Sequence, residues 1–397
     1  MNTRMDRTRL NIGAYTLRPY ARTERHIKEI AECGIDFMTG IDNDRNTLDL
    51  FEKYGLGAIL NGVLPPWWGG DGKNAGMLAQ THPIEKYEDA AKNFPDHPAV
   101  WGFDVGDEPS ALDFPYYGQV IAQTERLFPN QFAFLNLYPN YGVIATNTPA
   151  QIAAQLGTDT YEEYIRRYCE RIPADYISYD HYLYSGSVTG HFENLRIAAD
   201  ACRDTGKGLW IVLQVNSFDP EKWITENQLR FQAYTAMAFG AENILWACYT
   251  AGWWHNHVLD KQGEKTRQYD RLKQVNSEIR TLAGAYMDYR RAATYFVAPG
   301  EAADAGIFRE IRTEDGKSLL AGHMTARSGG SAQALMLLMT DDPYDTGSTH
   351  SRLLLKAAGL QTVTALGGSG EKPVCRLADG TYAIELASNE GILIQAK

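Results

Sequence analysis

Two carboxylates close the segment WGFDVGDEPS, residues 101–110, where an apolar run ends directly on Asp107 and Glu108. Desolvating acids at the end of a buried strand is expensive, so their position asks for a chemical reason. Further along, YISYDHYLY offers Asp180, His181 and Tyr182, FAFLNLY offers Asn136 and Tyr138, and WIVLQVNS offers Gln214 and Asn216. Trp246, Trp253 and Trp254 follow, and Trp67 and Trp68 stand in VLPPWWGGDG. Carboxyl groups can move protons, amides and phenols orient hydroxyls, and flat aromatic faces cover the apolar side of a sugar ring. The set suits a carbohydrate substrate.

Each residue also has a plainer reading. Asp-Glu-Pro ahead of a helix is a common N-terminal cap, and single tryptophans often serve core packing. Asp180 could simply hold a neighbouring backbone group or His181. His255 and His257, in WWHNHVLD, could chelate a metal with Asp180 and His181, yet loop histidines more often bond at the surface. Asp42 and Asp44 read as a turn or helix cap. The expectation is a site with neither metal nor cofactor.

The elements that must position these residues are visible as a repeating pattern. Between residues 10 and 290, short apolar runs alternate with helix-like segments eight times, beginning LNIGAY, IDFMTG, LGAILNG and AVWGFDVG and continuing FAFLNLY, YISYDHY, LWIVLQVN and ILWACYT. Near-continuous apolar strands alternating with helices imply a parallel sheet covered by helices. Eight such units fit a (β/α)8 TIM barrel, which typically takes about 250 residues. No GxGxxG follows the first strand, which counts against a dinucleotide fold. In a barrel the functional groups sit at the C-terminal ends of strands, where Asp107, Glu108, Asn136, Asp180 and Gln214 fall. Thr225 and Gln228 read as a capping box opening a helix.

Beyond residue 290 the texture changes to SLLAGHMTA, QALMLLMT, HSRLLLKA, TYAIEL and GILIQAK, separated by turn residues. The expected layout is therefore a barrel over 1–290 and an antiparallel β-sandwich over 291–397 that supplies no catalytic carboxylate.

A net charge of −11 opposes binding to nucleic acid or to an anionic membrane, and leaves neutral or cationic ligands favoured. Five scattered cysteines without a CxxC pair indicate neither a zinc site nor a disulfide framework. The chain as given reads as cytoplasmic, or as secreted or periplasmic if a signal peptide was removed, and an oligomer is compatible with it.

On these residues the chain resembles the glycoside hydrolases of clan A, and among them the family 42 β-galactosidases. WGFDVGDEP is similar to the fourth-strand signature in which Asn-Glu-Pro presents the general acid/base, and QLRFQAYTAMAFGAENILW looks like the passage from helix seven to strand eight. The resemblance implies hydrolysis of an O-glycosidic bond, with Glu108 as general acid. Two departures accompany it. Asp107 stands where the clan usually has Asn, and Gln214 stands where strand seven usually presents the nucleophilic Glu. A neutral amide cannot form the glycosyl ester of a retaining mechanism.

Three readings follow. In the first, Glu108 acts with Asp180 as base in an inverting mechanism, while Asp107, Asn136, Tyr138, His181, Tyr182, Gln214, Trp246, Trp253 and Trp254 bind substrate. In the second, Asp107 and Glu108 resemble the pair of the family 20 hexosaminidases and support substrate-assisted cleavage of an N-acetylated sugar. In the third, the loss of the nucleophile has left a carbohydrate-binding pseudoenzyme.

Overall fold

The eight apolar runs become eight strands: β1 (Asn11–Tyr15), β2 (Phe37–Ile41), β3 (Gly57–Leu60), β4 (Val100–Asp107), β5 (Phe132–Asn136), β6 (Tyr176–His181), β7 (Gly208–Gln214) and β8 (Ala241–Ala247). The computed structural model describes residues 4–62, 75–142, 147–252, 254–347, 349–359 and 362–396. Every residue of β3, β5, β6 and β7 is buried, which is why these strands read as apolar runs without alternation.

The strands pair in parallel in the order β5-β4-β3-β2-β1-β8-β7-β6. The seam between β5 and β6 closes through the bridge of Leu137 to Tyr179, with the Leu137 N–H donating to Ser178 O at 2.8 Å. Lower in the same seam a side chain does the work of a ladder: the Tyr176 hydroxyl donates to Ala133 O at 2.6 Å and accepts from Leu135 N–H at 2.9 Å. The Tyr176 ring stacks on Trp210, with centroids 4.3 Å apart. The result is a (β/α)8 barrel.

The C-terminal part is an antiparallel β-sandwich. One sheet has the order β10-β11-β14-β18-β17, comprising Ala303–Ala305, Phe308–Thr313, His350–Ala357, Tyr382–Ala387 and Cys375–Arg376. The other has the order β16-β15-β19-β13-β12-β9, comprising Gly370–Lys372, Val363–Gly367, Ile392–Ala396, Gln333–Met339, Leu319–Ala326 and Tyr289–Val297. Alternate residues such as Leu335, Leu337, Leu353, Leu355, Ile384 and Ile394 fill the space between the sheets. Strands β9 and β11, YRRAATYFV and FREIRT, escape sequence reading because charged residues interrupt their apolar alternation.

By contacts the chain forms two compact units. The first is Met1–Arg7, Asn11–Trp223 and Asn243–Tyr269; the second is Thr8–Leu10, Ile224–Glu242 and Asp270–Lys397. The capping box forms as expected at the helix Glu226–Ala238, where the Thr225 hydroxyl accepts from Gln228 N–H and Gln228 Oε1 accepts from Thr225 N–H. Asp44 caps the helix Arg45–Tyr54 through Thr47 N–H, and Asp42 pairs with Arg22. No helix among the described residues is long and apolar enough to cross a membrane.

Candidate active site

A β-bulge in β4 decides which acids meet. Asp104 pairs with Phe134 of β5, Gly106 with Leu135, and Asp107 with Asn136, so two residues of β4 advance against one of β5. In a regular strand, residues 104 and 107 would face opposite sides. Here both oppose residues of like parity in β5, and both carboxyls turn to one side. Gly106 makes this possible, because a Cβ there would fall 2.4 Å from the Tyr117 hydroxyl. Asp104 also accepts from the Gly106 N–H at 3.1 Å.

Asn136 organises the acids. Its Nδ2 donates to Asp180 Oδ1 at 2.8 Å and to Asp107 Oδ1 at 3.2 Å. Its Oδ1 accepts from the Ser178 hydroxyl at 3.0 Å. Its carbonyl accepts from the Glu108 N–H at 2.9 Å. Glu108 takes φ +46, a left-handed conformation that is uncommon outside glycine. Behind it, the Tyr164 hydroxyl donates to Pro109 O at 2.7 Å and accepts from the Tyr138 N–H at 3.3 Å. The cap of the following turn is Ser110, which accepts from Leu112 N–H, so Asp107 and Glu108 are not used as helix caps.

Glu108 lies within hydrogen-bonding reach of Asp180. Asp180 Oδ2 meets no N–H or O–H among the described residues, so this contact joins two carboxyls and bonds only when one is protonated. Burial pushes the Asp180 carboxyl well up from its ordinary value, with the charge of Asp107 adding to the push. Asp104 is pushed up to about 8 by burial and then by Asp107. Asp107 is pushed up to about 6 by desolvation, against the pull of the Asn136 amide. Solvent still reaches Asp107 even though protein surrounds much of its carboxyl, and that water moderates the push.

The remaining predicted residues divide. Tyr182 stacks edge-on against Trp254, with centroids 4.5 Å apart. Tyr138 and Trp246 are fully buried in the barrel. His181 is buried against His191, with Nδ1 atoms 3.3 Å apart, and burial holds both imidazoles down, His191 to about 3. Gln214, read from its strand position as facing the anomeric carbon, engages both ends of its amide elsewhere. Oε1 accepts from Tyr184 N–H at 3.0 Å, and Nε2 donates to Asn216 O at 3.0 Å. Asn216 in turn accepts from Cys248 N–H. Trp67, Trp68 and Trp253 lie outside the described residues. Asp104 was missed as a site residue; the glycine two residues later was its available signal.

The metal reading gains no support from the histidine pair: His255 is exposed, His257 is buried, and no triad of metal donors among the described residues includes either. Asp49, Glu52 and His97 do converge. His97 Nδ1 accepts from Ala99 N–H at 3.1 Å, so the neutral ring carries its proton on Nε2, which faces Asp49 Oδ1 at 3.0 Å. Metal binding at Nε2 would require loss of that proton, so the group fits a histidine-to-carboxylate hydrogen bond better than a metal site.

No family model and no curated protein matches the chain, so the likeness to family 42 rests on the segment QLRFQAYTAMAFGAENILW quoted above. Solved structures do share the architecture. A proposed alpha-L-fucosidase from Bacteroides thetaiotaomicron VPI-5482 superposes with a TM-score of 0.51 at 12% identity, covering 68% of this chain and 96% of its own. A glucosidase from Croceicoccus marinus gives 0.46 at 11% identity, over 98% of this chain and 96% of its own. The likeness is one of fold.

Proposed function

We propose that the protein hydrolyses an O-glycosidic bond, with Glu108 as the proton donor and Asp180 as its partner. The observation that carries this reading is the carboxyl cluster at the C-terminal ends of β4 and β6: Asp107 and Asp180 share the Asn136 amide while Glu108 rests against Asp180. Burial and the charge of Asp107 raise Asp180, so the Glu108–Asp180 pair can hold a proton near neutrality, as general acid catalysis needs. The fold neighbour described as a proposed alpha-L-fucosidase is compatible with the reading.

A retaining pair stands about 5–5.5 Å apart and an inverting pair about 6.5–9.5 Å, with a water between. Carboxyls in hydrogen-bonding contact have neither gap. On the inverting reading, the sugar and its water separate Glu108 from Asp180 on binding, and the resting contact is where the pair stores its proton. NMR of the first-formed anomer tests this. Inversion supports Glu108 with Asp180; retention on an ordinary hexoside removes Asp180 as base.

One observation favours a second reading. Asp107 is the most exposed acid of the cluster and an amide orients it, as a carboxylate guiding a substrate's own N-acetyl group would need. Retention confined to N-acetylated glycosides, with activity lost in Asp107→Asn, would support that route. Sugar binding without turnover on any glycoside would leave the pseudoenzyme reading.

A further inference from the structure

The loops after β7 and β8 are tied by a short antiparallel bridge. The Ser217 N–H donates to His255 O at 2.9 Å, and the His255 N–H returns to Ser217 O at 2.8 Å. The tied loops carry Phe218 beside Trp254, with ring centroids 4.3 Å apart and planes inclined by 40°. Tyr182, from the loop after β6, meets the same tryptophan at 4.5 Å and lies 6.4 Å from Phe218. Three successive barrel loops thus contribute one aromatic wall.

Two features set this wall apart from ordinary packing. Trp254 takes φ +66, a conformation costly for a bulky side chain, and it is held there by the bridge and by Asn256, whose side chain donates to Pro220 O at 3.0 Å. Its outer ring, Phe218, is 47% exposed, so the fold leaves apolar surface uncovered at the end of a braced structure. The inner end leads back to β6, the strand of Asp180. Tyr182 lies two residues beyond Asp180, and its hydroxyl, raised chiefly by burial, also feels Asp180, Glu108 and Asp107.

We propose that Tyr182, Trp254 and Phe218 form a subsite for a second pyranose ring, the unit joined to the sugar whose bond is cut, so that the preferred ligand is at least a disaccharide. The inference rests on the glycosidase reading for its orientation. The C–H face of a pyranose matches an aromatic face, and an uncharged ring avoids repulsion by the neighbouring acids. Phe218 is the specificity-determining member, because its open face meets a ring that a monosaccharide held at the acids would not supply.

The test uses the full chain carrying Glu108→Gln, which slows turnover, with and without Phe218→Ala. Cellobiose, lactose and xylobiose are titrated against glucose, galactose and xylose by calorimetry and tryptophan fluorescence. At least one disaccharide should bind more tightly than its parent sugar, and Phe218→Ala should weaken it tenfold or more while leaving the monosaccharide unchanged. Phe218→Trp should restore the binding. Equal losses for both ligands, no effect of Phe218→Ala, or no preference for any disaccharide would overturn the proposal. Phe218-dependent disaccharide binding in a wild-type chain that cleaves no glycoside would preserve the wall and remove the hydrolase reading; turnover without Phe218 dependence would do the reverse.

Discussion

Asn136 Nδ2 stands 2.8 Å from an oxygen of Asp180 and 3.2 Å from one of Asp107, so one amide nitrogen bridges acids from two different strands. In Asn136→Ala the bridge goes. Since the amide draws both carboxyl pKa values down, each should rise further, and the acidic limb of the pH–activity profile should move to higher pH. The lost hydrogen bonds should cost about 0.5–1.5 kcal/mol each in urea unfolding. An unmoved acidic limb would show that neither carboxyl controls activity.

Replacing Glu108 by Gln keeps the shape and removes the proton. Turnover of glycosides with poor leaving groups should fall by about 10²–10⁴-fold, with smaller losses on activated ones. The new amide can donate to Asp180, whose second oxygen meets no donor among the described residues, so Tm should hold or rise. Near-normal turnover would remove Glu108 from the chemistry.

Asp104 gives a pH signature without any substrate. Its folded carboxyl sits near 8, above the roughly 3.9 of an unfolded aspartate. The folded state therefore holds the extra proton between those values. Its stabilising contribution is complete below about pH 4 and is lost as pH rises through about 8. Asp104→Asn cannot titrate and can still accept from the Gly106 N–H, so its Tm relative to wild type should climb between pH 6 and 9. A constant difference across that range would contradict the assignment.

Gln214→Ala should behave as a structural change. Tyr184 N–H and Asn216 O would each lose a partner, costing about 1–3 kcal/mol of stability if left unpaired. The value of kcat/KM should fall less than tenfold, far less than in Asp180→Asn. A loss as large as that of Asp180→Asn would return Gln214 to the reacting centre.

Sequence alone determined the eight barrel strands, because a strand buried on both faces must be apolar along its length and leaves a run that no polar loop imitates. It also determined that Glu108, Asp180 and Asn136 fall at the C-terminal ends of strands, since the polar residues begin where the runs stop. Only the tertiary structure decided which side each acid faces. One extra residue at Asp104–Gly106 reverses the parity of β4 against β5 and brings Asp104 round to the side of Asp107. The same holds for Gln214: its place at a strand end was legible, but its Oε1 takes the Tyr184 N–H from the loop after β6, a partner that exists only once β6 and β7 lie side by side. A side chain's direction along a strand is local, whereas register and partners are set by the neighbouring chain, and one residue of slip exchanges the two faces.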